Sequence, residues 1–323
     1  MRKTSKKSML LYILLIVALL FIPVVIKNRY MITLVDEILV FIIAILGLNY
    51  ITGLTGESNM GMAGIFSLGA YTSAILTLRT GVSPFVGILA AIPMGIFIGN
   101  LLGRPSLRVK GIYLALSTMM FGEIVRLLAN NMVGLTNGST GLRNIPHFSV
   151  FGYTLTNEGQ VFYLYFAICL FAIFLSNIIF SGRWGRAFKA IRDNEDGVPS
   201  CGIDIAKTKI TAFTLCAVFG SVAGAMFAHL MGYISPDMFD FDFMVKFFMM
   251  LMLGGIGTVS GSVFGAVIVV IVPEALRFLG DYYWLVFSTG MLLFIIFVPN
   301  GIVSLKDRVI GKIVKRNNSC GGQ

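Results

Sequence analysis

Apolar runs about as long as a bilayer is thick recur along this chain, and few charges interrupt them. A helix rises 1.5 Å per residue, so crossing a hydrocarbon core takes about 20 mainly apolar residues. Lipid offers the backbone no hydrogen-bond partners, which restricts spanning runs of this length to helices. Charged residues make up 12% of the 323, against about 25% in a soluble domain. The sequence therefore reads as an all-α polytopic membrane protein.

Candidate spans are 9–26, 34–52, 60–78, 84–102, 112–130, 160–180, 208–230 and 282–299. The opening segment joins a basic head to an apolar run, Met9 to Ile26, as a signal peptide does. Its run is longer than a usual signal core and no small-x-small cleavage site follows, so it is read as a retained first span. Lysine and arginine near span ends mark the cytoplasmic side. Four fall in 1–8, three in 103–110, six in 181–209 and five in 306–316, which places these segments on one face. The loop holding Asp237, Asp240 and Asp242 then lies on the other. A single span over 244–272 would break that pattern. The stretch is interrupted by LGGIGTVSG, so two short segments that enter and return are expected there. The expected organisation is a cytoplasmic tail (1–8), a transmembrane domain (9–303) of about eight spans plus a re-entrant or broken helix pair, and a basic cytoplasmic tail (304–323).

One hydrophilic stretch, 181–207, interrupts this pattern. Trp184, Ala187, Phe188 and Ile191 form an apolar stripe at helical spacing, ringed by Arg183, Arg186, Lys189 and Arg192. Such a helix can lie along the inner leaflet with its basic groups near anionic headgroups, which makes membrane lipids a partner. Asp193, Glu195 and Asp196 follow. Asp193 or Asn194 could cap a second short helix, with Gly202 ending it. By spacing alone the stretch is either a solvated loop or a rigid knob facing the cytosol. The chain has no GxxxxGK[ST], so it cannot cradle ATP phosphates by that motif.

Inside the spans, Glu123 and Arg126 stand three apart on one helix face, an intramembrane ion pair. Asn49, Asn59, Ser117 and Thr118 either line a translocation pathway or hydrogen-bond between helices. Gly254, Gly255 and Gly257 either line the same pathway or pack closely, as Gly220 and Gly224, and Gly257, Gly261 and Gly265, do at four-residue spacing. The four cysteines, Cys169, Cys201, Cys216 and Cys320, show no metal-like spacing, and His147 and His229 stand apart. No nucleophile, base and orienting group come together. No enzyme activity, metal, cofactor or nucleic-acid partner is expected of this chain.

Six strings, in order, resemble the permease subunit of branched-chain amino acid ABC importers, and more closely the member of the permease pair with the longer cytoplasmic loop. They are ILGLNYITGLTGESNMGMAGIFSLGAY (45–71), KGIYLALSTMMFGEIVR (110–126), LTNGSTGLRNIP (135–146), GRAFKAIRDNED (185–196), AGAMFAHLMGYISP (223–236) and LGGIGTVSGSVFGA (253–266). The resemblance implies a multi-pass protein of a bacterial cytoplasmic membrane, both termini inside. Its implied partners are a second, homologous permease, two cytosolic ATPase subunits and an extracytoplasmic substrate-binding protein. It further implies that Asp193, Glu195, Asp196, Gly197 and Gly202 form the segment that docks on an ATPase. The cargo it implies is leucine, isoleucine and valine, or related small amino acids and amides.

Two departures stand out. Where the family reads roughly Glu-x-Ala-Ala-x-x-x-Gly, this chain has Glu195, Gly197, Val198, Pro199 and Gly202. Pro199 fits only the first turn of a helix, so a shorter or kinked coupling helix is expected. Where the family usually has Gly-His-Ala, this chain has Gly61-Met62-Ala63, a thioether on a motif that would line the pathway. The competing reading is a secondary transporter driven by an ion gradient, which needs a midplane ion site. Glu123 and the 254–261 break are its hooks. A membrane-embedded lipid enzyme is a third reading, disfavoured by the lack of clustered acids or metal ligands.

Overall fold

The computed structural model describes residues 28–150, 153–154, 158–297 and 301. The expected first span, 9–26, and the basic tail lie outside them. The described chain is helical: α1 (Arg29–Leu48), α2 (Met62–Thr80), α3 (Pro84–Gly103), α4 (Ile112–Asn131), α5 (Glu158–Ser181), α6 (Arg183–Asp193), α7 (Ile205–Met231), α8 (Phe241–Gly254), α9 (Val259–Ala275) and α10 (Tyr283–Phe297). Among the described residues the only paired strands are two-residue ones, β1 (Ser149–Val150) and β2 (Tyr153–Thr154).

Each expected span after the first corresponds to a helix. Among the described residues, five helical segments are long and apolar enough to cross a bilayer: Arg29–Thr55, Pro84–Leu107, Ile112–Asn131, Gly159–Ser181 and Ile205–Met231. The first is so long because α1 runs on without a break into a π-helical turn, Asn49–Thr55. The broken pair also forms as expected. α8 has 14 residues and α9 has 17, each short of the ~20 that span a bilayer.

α7 is the centre of the bundle and packs against α1, α2 and α3. Close approach explains its composition. A side chain at Gly224 would strike the Phe66 carbonyl, one at Gly69 would strike Ser221, and one at Gly99 would strike Thr214. Lipid supplies no hydrophobic drive between helices, so contact of this kind has to carry association. Pro84 starts α3 where no helical N–H is needed.

The two ends of the bundle differ in charge. One carries the basic loops around 104–110 and 183–209; the other carries Asp237, Asp240 and Asp242. At the acidic end the loop before β1 is tied to α7. Leu142 bridges Ile234, and the His229 ring binds Pro146 O through Nδ1 (2.8 Å) and the Ser73 hydroxyl through Nε2 (2.7 Å). Both ring nitrogens are thereby occupied. α4 is the least enclosed span, leaving Tyr113, Leu116, Met120, Ile124 and Leu127 exposed along one side.

Candidate functional site

At the basic end, α6 projects its charge and hides its stripe. Phe188 and Ile191 are buried, while Arg183, Arg186 and Lys189 are exposed. The stripe that could have entered the leaflet is thus spent on α5, α7 and the π-helical turn, and of it only Trp184, 47% exposed, stands well clear of the protein. α6 ends at Asn194, whose Oδ1 accepts the Gly197 N–H at 3.1 Å. The second helix is one 3₁₀ turn, Val198–Cys201, with Pro199 in its first positions. Gly202 closes it at φ 74°, a left-handed conformation that favours glycine. Asp204 then caps α7 by accepting the Lys207 N–H at 3.1 Å. Asp193, Asp196, Gly197 and Gly202 face outward.

Glu195 faces inward. Its Oε1 lies 2.9 Å from Lys209 Nζ and its Oε2 lies 3.0 Å from Lys110 Nζ. Lys209 also meets Glu57 Oε1 at 2.5 Å. Burial works to raise the Glu195 pKa, but the hydrogen bonds from Lys209 and Lys110 outweigh it and hold the carboxyl below its usual range. Lys110, Glu57 and Lys209 were not singled out in the sequence. Their signal was there: an acid and a base beside span ends in a chain with few charges, where an ionisable group needs a partner.

The residues expected along a pathway fall into three places. Asn49, Gly254, Gly255 and Gly257 meet where the π-helical turn touches the α8–α9 break. Asn49 is fully buried; its Oδ1 accepts the Gly257 N–H (2.8 Å), and its Nδ2 donates to Thr258 O (2.9 Å) and Ser262 Oγ (2.9 Å). Gly257, at φ 79°, also lies beside Gly53, whose carbonyl accepts from Arg192 of α6 at 2.8 Å. Asn59, Met62 and Thr118 form a second group. Asn59 Oδ1 accepts the Gly61 N–H (2.9 Å), Thr118 Oγ1 accepts the Met60 N–H (3.0 Å), and Met62 fills the space over Gly220. Ser117 is alone on the open side of α4, bonded to Leu114 O.

Glu123 and Arg126 pair at 2.6 Å, and Arg126 reaches Asp237 at 3.3 Å, towards the acidic end. Two cavities border the continuous segment Arg29–Thr55. One, of about 580 Å³, opens at the basic end between Glu57, Lys110, Arg192, Asp193, Glu195 and Ile256. The other, of about 920 Å³, opens at the acidic end, with Glu37, Asp240, Lys246 and Arg277 around a floor that includes Phe243 and Met249. Neither is lined by the residues expected along the pathway, whereas Asp193 and Glu195 of the loop line the smaller one.

Residues 30–296 match the family described as branched-chain amino acid transport system, permease component. The chain belongs to this family. It is 32% identical to the high-affinity branched-chain amino acid transport system permease protein LivM of Salmonella typhimurium, over 94% of this chain and 76% of the relative. It is 26% identical to the LivH permease protein of Escherichia coli K12, over 80% of this chain and 89% of the relative. At 24% identity it is also similar to the fructose import permease protein FrcC of Rhizobium meliloti, over 75% of this chain and 69% of the relative. No solved structure matches. Membership supports the permease reading over a gradient-driven carrier, and the apolar helices suit a multi-pass membrane protein.

Proposed function

We propose that this chain is one permease half of an ATP-driven importer of branched-chain amino acids or related small amino acids and amides. The likeness to LivM over 94% of the chain carries this reading. In it, the basic end faces the cytoplasm of a bacterial cell, in keeping with the lysine and arginine clusters. A second permease completes the pathway, an extracytoplasmic protein delivers cargo to the acidic end, and two ATPases dock at the basic end.

Docking falls to the outward groups of the loop, Asp193, Asp196, Gly197 and Gly202, with Pro199 shortening the segment they present. ATP binding and closure of the ATPases then bias the spans between two states. The small-residue contact of Gly254 with Gly261, and the clasp of Asn49 on Gly257, suit the α8–α9 break to act as a hinge of that change.

The assembled importer in proteoliposomes tests this. Uptake should need ATP and survive collapse of proton and sodium gradients. Asp196→Lys should leave the permease inserted and lower uptake about tenfold or more, because it reverses an exposed docking charge. Uptake driven by a gradient without ATP would overturn the reading. The cognate binding protein, titrated with leucine, urea and fructose, identifies the cargo; fructose belongs in the panel because of the Rhizobium relative.

A further inference from the structure

Four charged groups of alternating sign run in a chain at the basic end: Lys110, Glu195, Lys209 and Glu57. They come from separate segments. Glu57 follows the π-helical turn, Lys110 precedes α4, Glu195 belongs to the projecting loop, and Lys209 sits one turn into α7. Lys209 is 1% exposed, so no docking partner can touch it. Lys110, at the chain's rim, is more than half exposed.

A buried ion pair gains little over well-packed apolar residues, since desolvation offsets most of the attraction. Its effect is geometric: removing one partner strands the others, so the arrangement tolerates one position only. Here the arrangement ties the projecting loop to the wall of the basic-end cavity and to the central helix. Lysine suits that place, because three donors on one ammonium can meet two carboxylates from different directions.

The geometry points to Lys209 as a positioning residue for energy coupling, the buried anchor that holds Glu195, and with it the loop 193–202, against Glu57 at the end of the first described span. This rests on the docking role proposed for the loop. It also divides the acids of that loop by task. Asp193 and Asp196 face a partner, while Glu195 serves this chain's own body.

The test uses the assembled importer in proteoliposomes carrying Lys209→Met, with solute taken up per ATP hydrolysed as the readout. A thiol-to-amine cross-linker on Cys201, which is exposed on the loop, reports docking, with Cys201→Ser as control. Lys209→Met should keep the cross-link and ATP hydrolysis while uptake per ATP falls about tenfold, within the range of substitutions that alter coupling. Lys209→Arg, which keeps a charge and several donors, should restore most of it. If Lys209→Met does not reach the membrane, Lys209→Gln, polar but uncharged, is read in the same way.

Wild-type uptake per ATP in the uncharged variant, with the cross-link present, would overturn the anchor and leave the docking reading standing. Equal losses in the Met and Arg variants would overturn it too, since packing rather than charge would then be at work. Absence of the Cys201 cross-link in the wild type would overturn the docking reading and the anchor with it.

Discussion

A cluster of rings towards the acidic end and a set of polar contacts at the basic end hold the bundle by different means. Towards the acidic end, Phe41, Phe66, Phe227, Phe239, Phe243 and Phe247 from α1, α2, α7, α8 and the turn before it stack and meet edge-on, with centroids between 4.8 and 6.4 Å. Towards the basic end the π-helical extension of α1 is joined to α9 by the Asn49 clasp, to α6 by the Arg192 bond and to α7 through Glu57 by the Lys209 charge chain. Rings in contact can slide or turn at small cost and keep their area. A buried amide or ammonium has a few permitted partners and loses them all at once when displaced. The lesson is that geometry is enforced where the projecting loop meets the broken helix pair, and merely favoured within the ring cluster.

The contrast can be broken most strongly at Asn49. Asn49→Ala removes three hydrogen bonds and strands the Gly257 N–H, while the Thr258 carbonyl keeps its bond from the Ser262 N–H. We expect a loss of about 2 kcal/mol in stability, since one stranded polar group costs ~1–3 kcal/mol. Thermal unfolding in detergent measures it, and a variant as stable as the wild type would refute the clasp.

Arg192→Ala should come next. It removes one charge-assisted bond at a partly exposed site, worth ~1 kcal/mol. Uptake per ATP should fall several-fold while stability drops by about 1 kcal/mol at most, because the bond joins α6 to the turn beside the break. Unchanged coupling would detach α6 from the hinge.

Phe243→Leu should have the smallest effect on coupling. Its neighbours can close round a smaller apolar group, so we expect a loss of about 1 kcal/mol and uptake per ATP within about twofold of wild type. If this variant uncouples as severely as Arg192→Ala, the ring cluster and the polar contacts do not differ in the way described.

Much of the architecture was legible from the chain alone, down to the break at LGGIGTVSG and the short turn enforced by Pro199. The fate of single side chains was less so. The α6 stripe at Trp184, Phe188 and Ile191 suits a leaflet or a protein surface equally well, because both are apolar. Asn49 suits a pathway or a clasp equally well, because a polar group in a span needs a partner in either case. Glu195 reads as an outward acid until Lys110 and Lys209 are placed beside it.

What the sequence by itself determined is where the helices lie and which end is basic, since apolar length, glycine breaks and charge clusters are properties of neighbouring residues. Only the tertiary structure decided which polar groups meet. Lys209 and Glu57 are 152 positions apart, and Asn49 and Thr258 are 209 apart. No local pattern encodes such a pairing. It arises because a low-charge interior leaves each buried polar group the few partners that packing brings within reach.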